Sequence, residues 1–190
     1  MSDAMDGNRR VAVHVCGSVA AYKACEVITS LRKQGCTVRV AMTASAPRFI
    51  TAITLQSLSG HPVACDVGGA AGDGHGMGHL DLGSWARLHI VVAASANLIA
   101  RLAHGFANDA VTATLLASRA PLLVAPAMET AMWEHPATCA NVEVLQSRGV
   151  TFIGPVHGRL ASGAQGQGRM AEVADLVTAV LDALGGQAPH

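Results

Sequence analysis

Small and hydroxyl-bearing residues directly follow two short apolar runs and could bind an anion. Gly17 and Ser18 follow the run VAVHVC, and Thr43 and Ser45 follow TVRVAM. A turn that opens a helix presents free backbone N–H groups, which bind phosphate, and the Ser18 hydroxyl adds a donor. The turn is neither GxGxxG nor a Walker loop. Hydroxyls and amides without a lysine suit a monophosphate such as that of FMN. From spacing alone, an ordinary helix cap at Ser18 and an ordinary turn at residues 43–45 are equally good explanations.

Nine histidines and five cysteines are potential metal ligands, but their spacing does not favour a metal site. The cysteines form no CxxC pair, and the histidines form no HExxH motif. We therefore predict neither a metal site nor a disulfide framework, and we expect a reducing cytoplasmic compartment. His79 follows a glycine-rich stretch, residues 68–78, that reads as a flexible surface loop. From the residues alone, His79 is a surface histidine or a helix cap.

The elements that must position these residues follow a strand-then-helix order. Short apolar runs rich in β-branched residues predict strands at residues 11–16, 37–42, 62–67, 88–93, 121–125 and 151–153. Helical segments separate most of them, and an amphipathic helix over residues 171–184 closes the chain. This order predicts an α/β fold with a doubly wound parallel sheet in a single domain. Ligands in such sheets bind beyond the carboxyl ends of the strands, so the loops that start at Gly17, Thr43, Ala94 and Pro126 are the candidates.

Composition limits the partners. The 190 residues carry 13 Lys+Arg and 13 Asp+Glu, with no basic run, so we expect no nucleic-acid partner. No apolar stretch approaches the ~20 residues that cross a bilayer, so we expect no membrane partner. The polar segment 1–9 reads as a disordered leader, residues 10–186 as the domain, and residues 187–190 as a tail.

Five segments, in order along the chain, together resemble the homo-oligomeric flavin-containing cysteine decarboxylases. This family includes phosphopantothenoylcysteine decarboxylases and the peptidyl-cysteine decarboxylases of lantibiotic, linaridin and thioamitide biosynthesis. The segments are GSVAAYK at 17–23, GHLDL at 78–82, AASANLIARLAHGFAND at 93–109, PAMETAMW at 126–133 and RLASGAQGQGRMAE at 159–172. They resemble, respectively, the family's phosphate loop, histidine motif, PxSAN motif, PxMNxxMW motif and substrate clamp.

The resemblance implies a flavodoxin-like (Rossmann-like) subunit that assembles into a homotrimer and then a homododecamer, with FMN between neighbouring subunits. It assigns cofactor binding to residues of the four candidate loops named above and the catalytic role to His79. The implied cofactor-binding residues are Gly17, Ser18, Thr43, Ser45, Ser95, Ala96, Asn97 and Met128. The implied substrate-binding residues are Glu129, Met132, Ser162 and Gly163. The glycine-rich stretch 158–168 would close over the substrate as a lid, and a mobile linker is the alternative.

The chemistry that the resemblance implies is oxidative decarboxylation. A cysteine carboxylate does not lose CO₂ readily, because the electrons have no acceptor. FMN would take a hydride from Cβ to give a thioaldehyde, which accepts the electrons as CO₂ leaves and an enethiolate forms. His79 would take the thiol proton or stabilise the thiolate, a task suited to an imidazole that titrates near neutrality.

Two residues depart from the family pattern. Ser162 stands where the phosphopantothenoylcysteine enzymes have a cysteine that helps to reduce the enethiol. A hydroxyl cannot perform that redox step, so the product should remain an aminoenethiol. Glu129 stands where the family has an asparagine that donates to the substrate carboxylate. If Glu129 is ionised, it would repel that carboxylate. The alternatives are that Glu129 is protonated, points away or contacts another group of the substrate.

These departures favour a peptidyl-cysteine decarboxylase that acts on a precursor peptide. The alternative enzyme is a phosphopantothenoylcysteine decarboxylase of coenzyme A biosynthesis. A flavin prenyltransferase shares the fold, but the clamp and PAMETAMW motifs argue against it. A non-catalytic FMN-binding regulatory subunit would fit the loss of the asparagine and the cysteine, whereas the presence of His79 argues against it.

Overall fold

The computed structural model describes residues 9–66 and 78–186, which form a six-stranded parallel sheet with helices on both faces. The strands of this sheet are β1 Arg10–Val15, β2 Thr37–Met42, β3 Val63–Ala64, β4 Leu88–Ala94, β5 Leu122–Pro126 and β6 Thr151–Phe152. Their order is β3-β2-β1-β4-β5-β6, and every neighbouring pair is parallel. The prediction of a doubly wound, flavodoxin-like α/β domain is confirmed.

Eight α-helices accompany the strands within these ranges. They are α1 Ala24–Lys33, α2 Ala52–Ser59, α3 Gly78–Trp85, α4 Ala96–Ala103, α5 Ala110–Ala117, α6 Thr130–Trp133, α7 Pro136–Ser147 and α8 Val173–Gly185. The helix expected from Ser18 begins as a 3₁₀ turn, Val19–Lys23, and a second 3₁₀ turn, Ala46–Arg48, precedes α2. Of the helices in the described ranges, none has the length and apolar character needed to cross a bilayer.

Strand β1 shows why the central strands are mainly apolar on both faces. Val11 and Val13 pack into the core formed with α1, α2 and α8, whereas Ala12 packs into the core formed with α3, α4, α5 and α7. All three side chains are fully buried. Alternate residues therefore serve opposite faces, and a strand covered on both faces needs apolar residues at every position.

A buried histidine pair interrupts this pattern on the face that carries α3. His14 Nε2 lies 2.8 Å from His89 Nδ1, and His89 Nε2 lies 2.8 Å from Ser118 Oγ. Ser118 donates its proton to the Gly83 carbonyl at 2.8 Å. His89 must then donate to Ser118 through Nε2, and His14 must donate to His89. Burial lowers the pKa of His14 well below its ordinary value and that of His89 to about 4, so both rings are neutral at pH 7.

The glycine content of residues 154–169 predicts a loop, but this segment contains an antiparallel hairpin. Its strands are β7 Val156–Arg159 and β8 Gln165–Arg169. Of the predicted leader, Arg9 alone is described, and its carbonyl accepts a hydrogen bond from the Thr37 amide. The rest of the leader, the predicted tail 187–190 and the glycine-rich loop 68–78, apart from Gly78, lie outside the described residues.

Candidate active site

The loops that follow β1 and β2 meet at the carboxyl edge of the sheet. Gly17 is so close to Ser45 that a Cβ added to Gly17 would lie 2.5 Å from Ser45 Oγ. Thr43 is buried, and its Oγ1 lies 3.2 Å from the same Ser45 Oγ. The structure therefore brings together three of the residues predicted to bind phosphate.

Ser18 lies between this group and the first helix. Its Oγ accepts a hydrogen bond from the Ala20 amide at 3.3 Å, which makes Ser18 the N-cap of the 3₁₀ turn. This contact is the ordinary helix cap that the sequence left open. Ser18 also lines the cavity described below, so the cap and a place in the candidate site coexist.

Ser95 begins α4 after the neighbouring strand β4, and its Oγ accepts a hydrogen bond from an amide in the first turn of the helix. Ala96 and Asn97 follow it in that turn. Cys16 lies beside Ser95 with its Sγ 3.9 Å from Ser95 Oγ, and its thiol donates to the Ala93 carbonyl at 2.6 Å. Burial raises the pKa of Cys16, which keeps it a thiol at pH 7. Sequence reasoning placed Cys16 only at the end of a strand.

A cavity of about 460 Å³ connects this edge of the sheet to the β7–β8 hairpin. Ser18 and the 3₁₀ turn after it form one wall, Met128 and Glu129 after β5 form another, and the hairpin forms a third. A volume of this size lies within the range of small-molecule sites. One cavity thus joins Ser18 and Met128, predicted for the cofactor, to Glu129, predicted for the substrate.

Glycines let the hairpin pack directly on the segment after β5. The Met128 amide donates to the Gly168 carbonyl at 3.0 Å. A Cβ on Gly168 would lie 2.2 Å from the Met128 oxygen, and a Cβ on Gly166 would lie 2.1 Å from Thr130 Oγ1. Side chains at these two positions would push the hairpin away from the cavity, so their glycines are required by close packing.

The two residues that depart from the family pattern contact each other. Glu129 Oε1 accepts a hydrogen bond from the Ser162 amide at 3.2 Å, and Glu129 Oε2 accepts one from Ser162 Oγ at 2.9 Å. Both carboxylate oxygens are therefore engaged by the turn of the hairpin. The sequence contained both departures, but nothing in their separation of 33 residues indicated that they pair.

The charges that line the cavity are mainly positive. Lys23, Arg159 and Arg169 line it together with the single carboxylate of Glu129. Arg169 forms an ion pair with Glu172, which leaves Lys23 and Arg159 as the cations best placed to receive an anion. Lys23 ends the GSVAAYK motif and Arg159 begins the clamp motif, so the motifs contained both residues without marking them as site residues.

Of the predicted site residues, Ser18, Met128 and Glu129 line this cavity, and the others, His79, Met132 and Gly163 among them, do not. His79 is half-buried in the first turn of α3. Met132 in α6 is 48% exposed. Gly163 has φ +90° in the hairpin turn, and its amide donates to the Leu160 carbonyl at 3.0 Å. Among residues 9–66 and 78–186, no group of three or more His, Cys, Asp or Glu side chains is arranged to hold a metal.

Comparisons with known proteins support the family recognised from the motifs. The Flavoprotein family matches residues 1–185. The coenzyme A biosynthesis bifunctional protein CoaBC of Mycolicibacterium smegmatis is 44% identical over 92% of this chain and 41% of its own length. CoaBC of Escherichia coli is 45% identical over 89% of this chain and 41% of its own length. The chain thus spans about two fifths of the curated relatives that it matches.

Solved structures give the same result. The FMN-dependent cysteine decarboxylase SpaF is 32% identical with a TM-score of 0.79, covering 93% of this chain and 98% of SpaF. A Cys→Ser mutant of PPC decarboxylase, complexed with pantothenoylaminoethenethiol, is 31% identical with a TM-score of 0.80, covering 90% of this chain and 96% of that one. The FMN-binding protein AtHal3 is 30% identical with a TM-score of 0.82, covering 96% and 100%.

These matches confirm the predicted family and its FMN cofactor. For the substrate, the sequence matches favour the coenzyme A alternative over the peptide-modifying enzyme that the departures favoured. The chain belongs to the Flavoprotein family, among its FMN-dependent decarboxylases.

Proposed function

We propose that this chain catalyses the FMN-dependent oxidative decarboxylation of a cysteine-derived thiol carboxylate, with phosphopantothenoylcysteine as its substrate. The observation that carries the proposal is the single cavity that joins the Ser18 turn to the clamp hairpin. The identity of 41–46% to CoaBC proteins supports this substrate.

The residues at the edge of the sheet fit the cofactor. Gly17 leaves a space at Ser45 that any Cβ would fill, and Thr43 directs a buried hydroxyl to the same point. These groups and Ser18 would hold the phosphate, and Met128 would border the flavin ring. When bound, FMN supplies the two-electron oxidation that makes decarboxylation possible.

Residues of the cavity would orient the substrate. Lys23 and Arg159 would hold an anionic group of the substrate, since Glu129 is engaged by Ser162. The hairpin would exclude water from the reacting atoms. His79 would accept the thiol proton. His79 does not line the cavity of its own chain. We therefore propose a homotrimer, assembled further into a dodecamer, in which His79 of a neighbouring subunit completes the site.

The presence of a hydroxyl at Ser162 indicates which oxidation state the released product would have. Its proton is donated to Glu129, and its oxygen accepts a hydrogen bond from the Ala164 amide at 3.4 Å. A serine so engaged cannot return electrons to the enethiol. The product would therefore leave as an aminoenethiol, with dioxygen as the final acceptor of the two electrons.

Ser162 also supports a second candidate substrate, a precursor peptide that ends in cysteine. Such an enzyme would release an oxidised product, and SpaF is an FMN-dependent cysteine decarboxylase at 32% identity. The two candidates share the chemistry and differ in the group attached to the cysteine.

Mass spectrometry of both candidate substrates tests the proposal. The purified flavoprotein is incubated in air with phosphopantothenoylcysteine and, separately, with synthetic peptides that end in cysteine. We expect phosphopantothenoylcysteine to lose about 46 mass units, the sum of CO₂ and two hydrogens, with matching oxygen uptake. Turnover of the peptide alone would establish the second candidate. Loss of about 44 mass units without oxygen uptake would show that the protein completes the reduction.

A further inference from the structure

Two features hold the turn of the β7–β8 hairpin against the rest of the molecule: the buried side chain of Leu160 and hydrogen bonds to one residue outside the hairpin. Residues 160–164 form a tight turn in which the Leu160 amide donates to the Ala164 carbonyl at 2.8 Å. Outside the turn, both hydrogen bonds of Ser162 go to Glu129. Across the described ranges, Glu129 supplies the hydrogen bonds that connect residues 160–164 to the rest of the chain.

The other contacts of the hairpin lie farther along β8. Met128 bonds to Gly168, and Gly166 packs on Thr130, near the start of α6. These contacts hold the strand, and buried Leu160 holds the start of the turn, but neither holds the exposed residues 161–164. The turn bears Ala161, which lines the cavity next to Ser162. The position of this wall therefore depends on the contact between Glu129 and Ser162.

We propose that Glu129 is a positioning residue that latches the hairpin turn over the cavity and does not bind the substrate carboxylate. Its two oxygens accept the amide and hydroxyl protons of Ser162. Two such donors form a binding site for a carboxylate, and the carboxylate bound here is that of Glu129. Glu129 and Ser162 thus form one functional unit. The effect on catalysis rests on the proposed function, whereas the latch itself does not.

Limited proteolysis with trypsin measures how often the hairpin turn opens, and it requires no substrate. Arg159 is exposed at the end of β7, one residue before the turn, so cleavage after Arg159 measures opening of the hairpin. Glu129→Ala and Ser162→Ala should speed this cleavage about fivefold, the effect of losing a hydrogen bond worth roughly 1 kcal/mol. Ser162→Thr, which keeps the hydroxyl, should stay within about twofold of the wild-type rate. Glu134→Ala is the control, because Glu134 is an exposed glutamate at the end of α6.

The double variant decides whether the two residues act together. If they form one latch, Glu129→Ala with Ser162→Ala should cleave no faster than Glu129→Ala alone, which already removes both hydrogen bonds. Multiplied effects, or a wild-type rate in Glu129→Ala, would overturn the proposal. Glu129→Met, which keeps the length of the side chain but removes both acceptor oxygens, replaces Glu129→Ala if the alanine variant does not retain its far-UV circular dichroism.

Kinetics provide the second readout. Loss of the latch should raise KM for the substrate about tenfold and change kcat by less than about threefold, because the wall is misplaced while the reacting groups remain. A fall in kcat with an unchanged KM would show that Glu129 acts in the chemical step and would overturn the positioning role. If neither candidate substrate turns over, the proposed function fails, and the proteolysis result still decides the latch.

Discussion

Gly17 has a neighbour that leaves no room for a side chain. We expect Gly17→Ala to weaken FMN binding at least about tenfold, because its methyl group would lie 2.5 Å from Ser45 Oγ and would separate the two loops. Titration of the apoprotein with FMN, followed by quenching of flavin fluorescence, measures the effect. Gly185→Ala is the control, since a Cβ at Gly185 meets nothing within 4 Å. Equal affinity in the two variants would remove the close approach at Gly17 from the cofactor site.

Lys23 and Arg159 are the residues that we expect to attract the substrate anion. Lys23→Gln and Arg159→Gln should each raise KM about tenfold with little change in kcat, because a partly exposed charge contact contributes about 1 kcal/mol or slightly more. Steady-state oxygen uptake measures both constants. Arg119→Gln is the control, since Arg119 is exposed and is not part of the cavity wall. An unchanged KM in both variants would place the substrate anion elsewhere.

At the scale of elements, the strands were predictable and the hairpin was not. The strand predicted at residues 37–42 matches β2, because apolar and β-branched residues fill this short run except at Arg39. The hairpin is built from glycines, which are depleted in strands and therefore predict a loop. Gly166 and Gly168 are needed for a reason that only the packing shows, namely the approach of Thr130 and Met128.

Part of the candidate site was likewise predictable from the sequence, and part was not. The grouping of Gly17, Thr43 and Ser45 followed from topology, since neighbouring parallel strands end at one edge of the sheet. The contact between Glu129 and Ser162 joins a segment after β5 to a hairpin turn. No periodicity encodes such a pairing, so each residue was interpreted alone, and Glu129 was expected to contact the substrate.

The histidine pair that links β1 and β4 predicts a pH dependence of stability. In the unfolded chain, His89 binds a proton as the pH falls through about 6.5. In the folded chain it stays neutral down to a pKa of about 4. The unfolded state therefore gains protons first, and the free energy of unfolding should fall as the pH falls between these values. For His89 alone the loss is about 2 kcal/mol between pH 7 and pH 5.

Urea unfolding of the wild type and a His89→Gln variant at several pH values tests this expectation. The variant should be less stable at pH 7 and should lose less stability on acidification. His104→Gln is the control for the substitution itself, because His104 is exposed and lies outside the buried pair. A His89→Gln variant with the wild-type slope would show that burial does not lower the pKa of His89 in the folded chain.

At the scale of the whole molecule, the carboxyl edge of the sheet carries exposed apolar side chains. Val19 and Tyr22 are 62% and 60% exposed in the 3₁₀ turn that borders the cavity. Phe49 and Ile53 are 46% and 65% exposed after the loop of Ser45. Apolar groups concentrated beside a ligand site indicate a surface that another molecule covers. A second subunit is the partner that the proposed trimer requires.

We expect Ile53→Glu to break this contact and to lower FMN retention together with it. A carboxylate cannot be buried against an apolar partner without a large desolvation cost, so the 19.4 kDa subunits should separate. Because the proposed site lies between subunits, FMN should be lost as the assembly dissociates. Size-exclusion chromatography with light scattering gives the mass, and the flavin absorbance at the eluted peak gives the occupancy.

Gln146→Glu adds the same charge at an exposed position of α7 and should leave both values at the wild-type level. An Ile53→Glu protein with the wild-type mass would place the subunit contact on another face. A monomer that keeps its full complement of FMN would show that one chain holds the cofactor by itself.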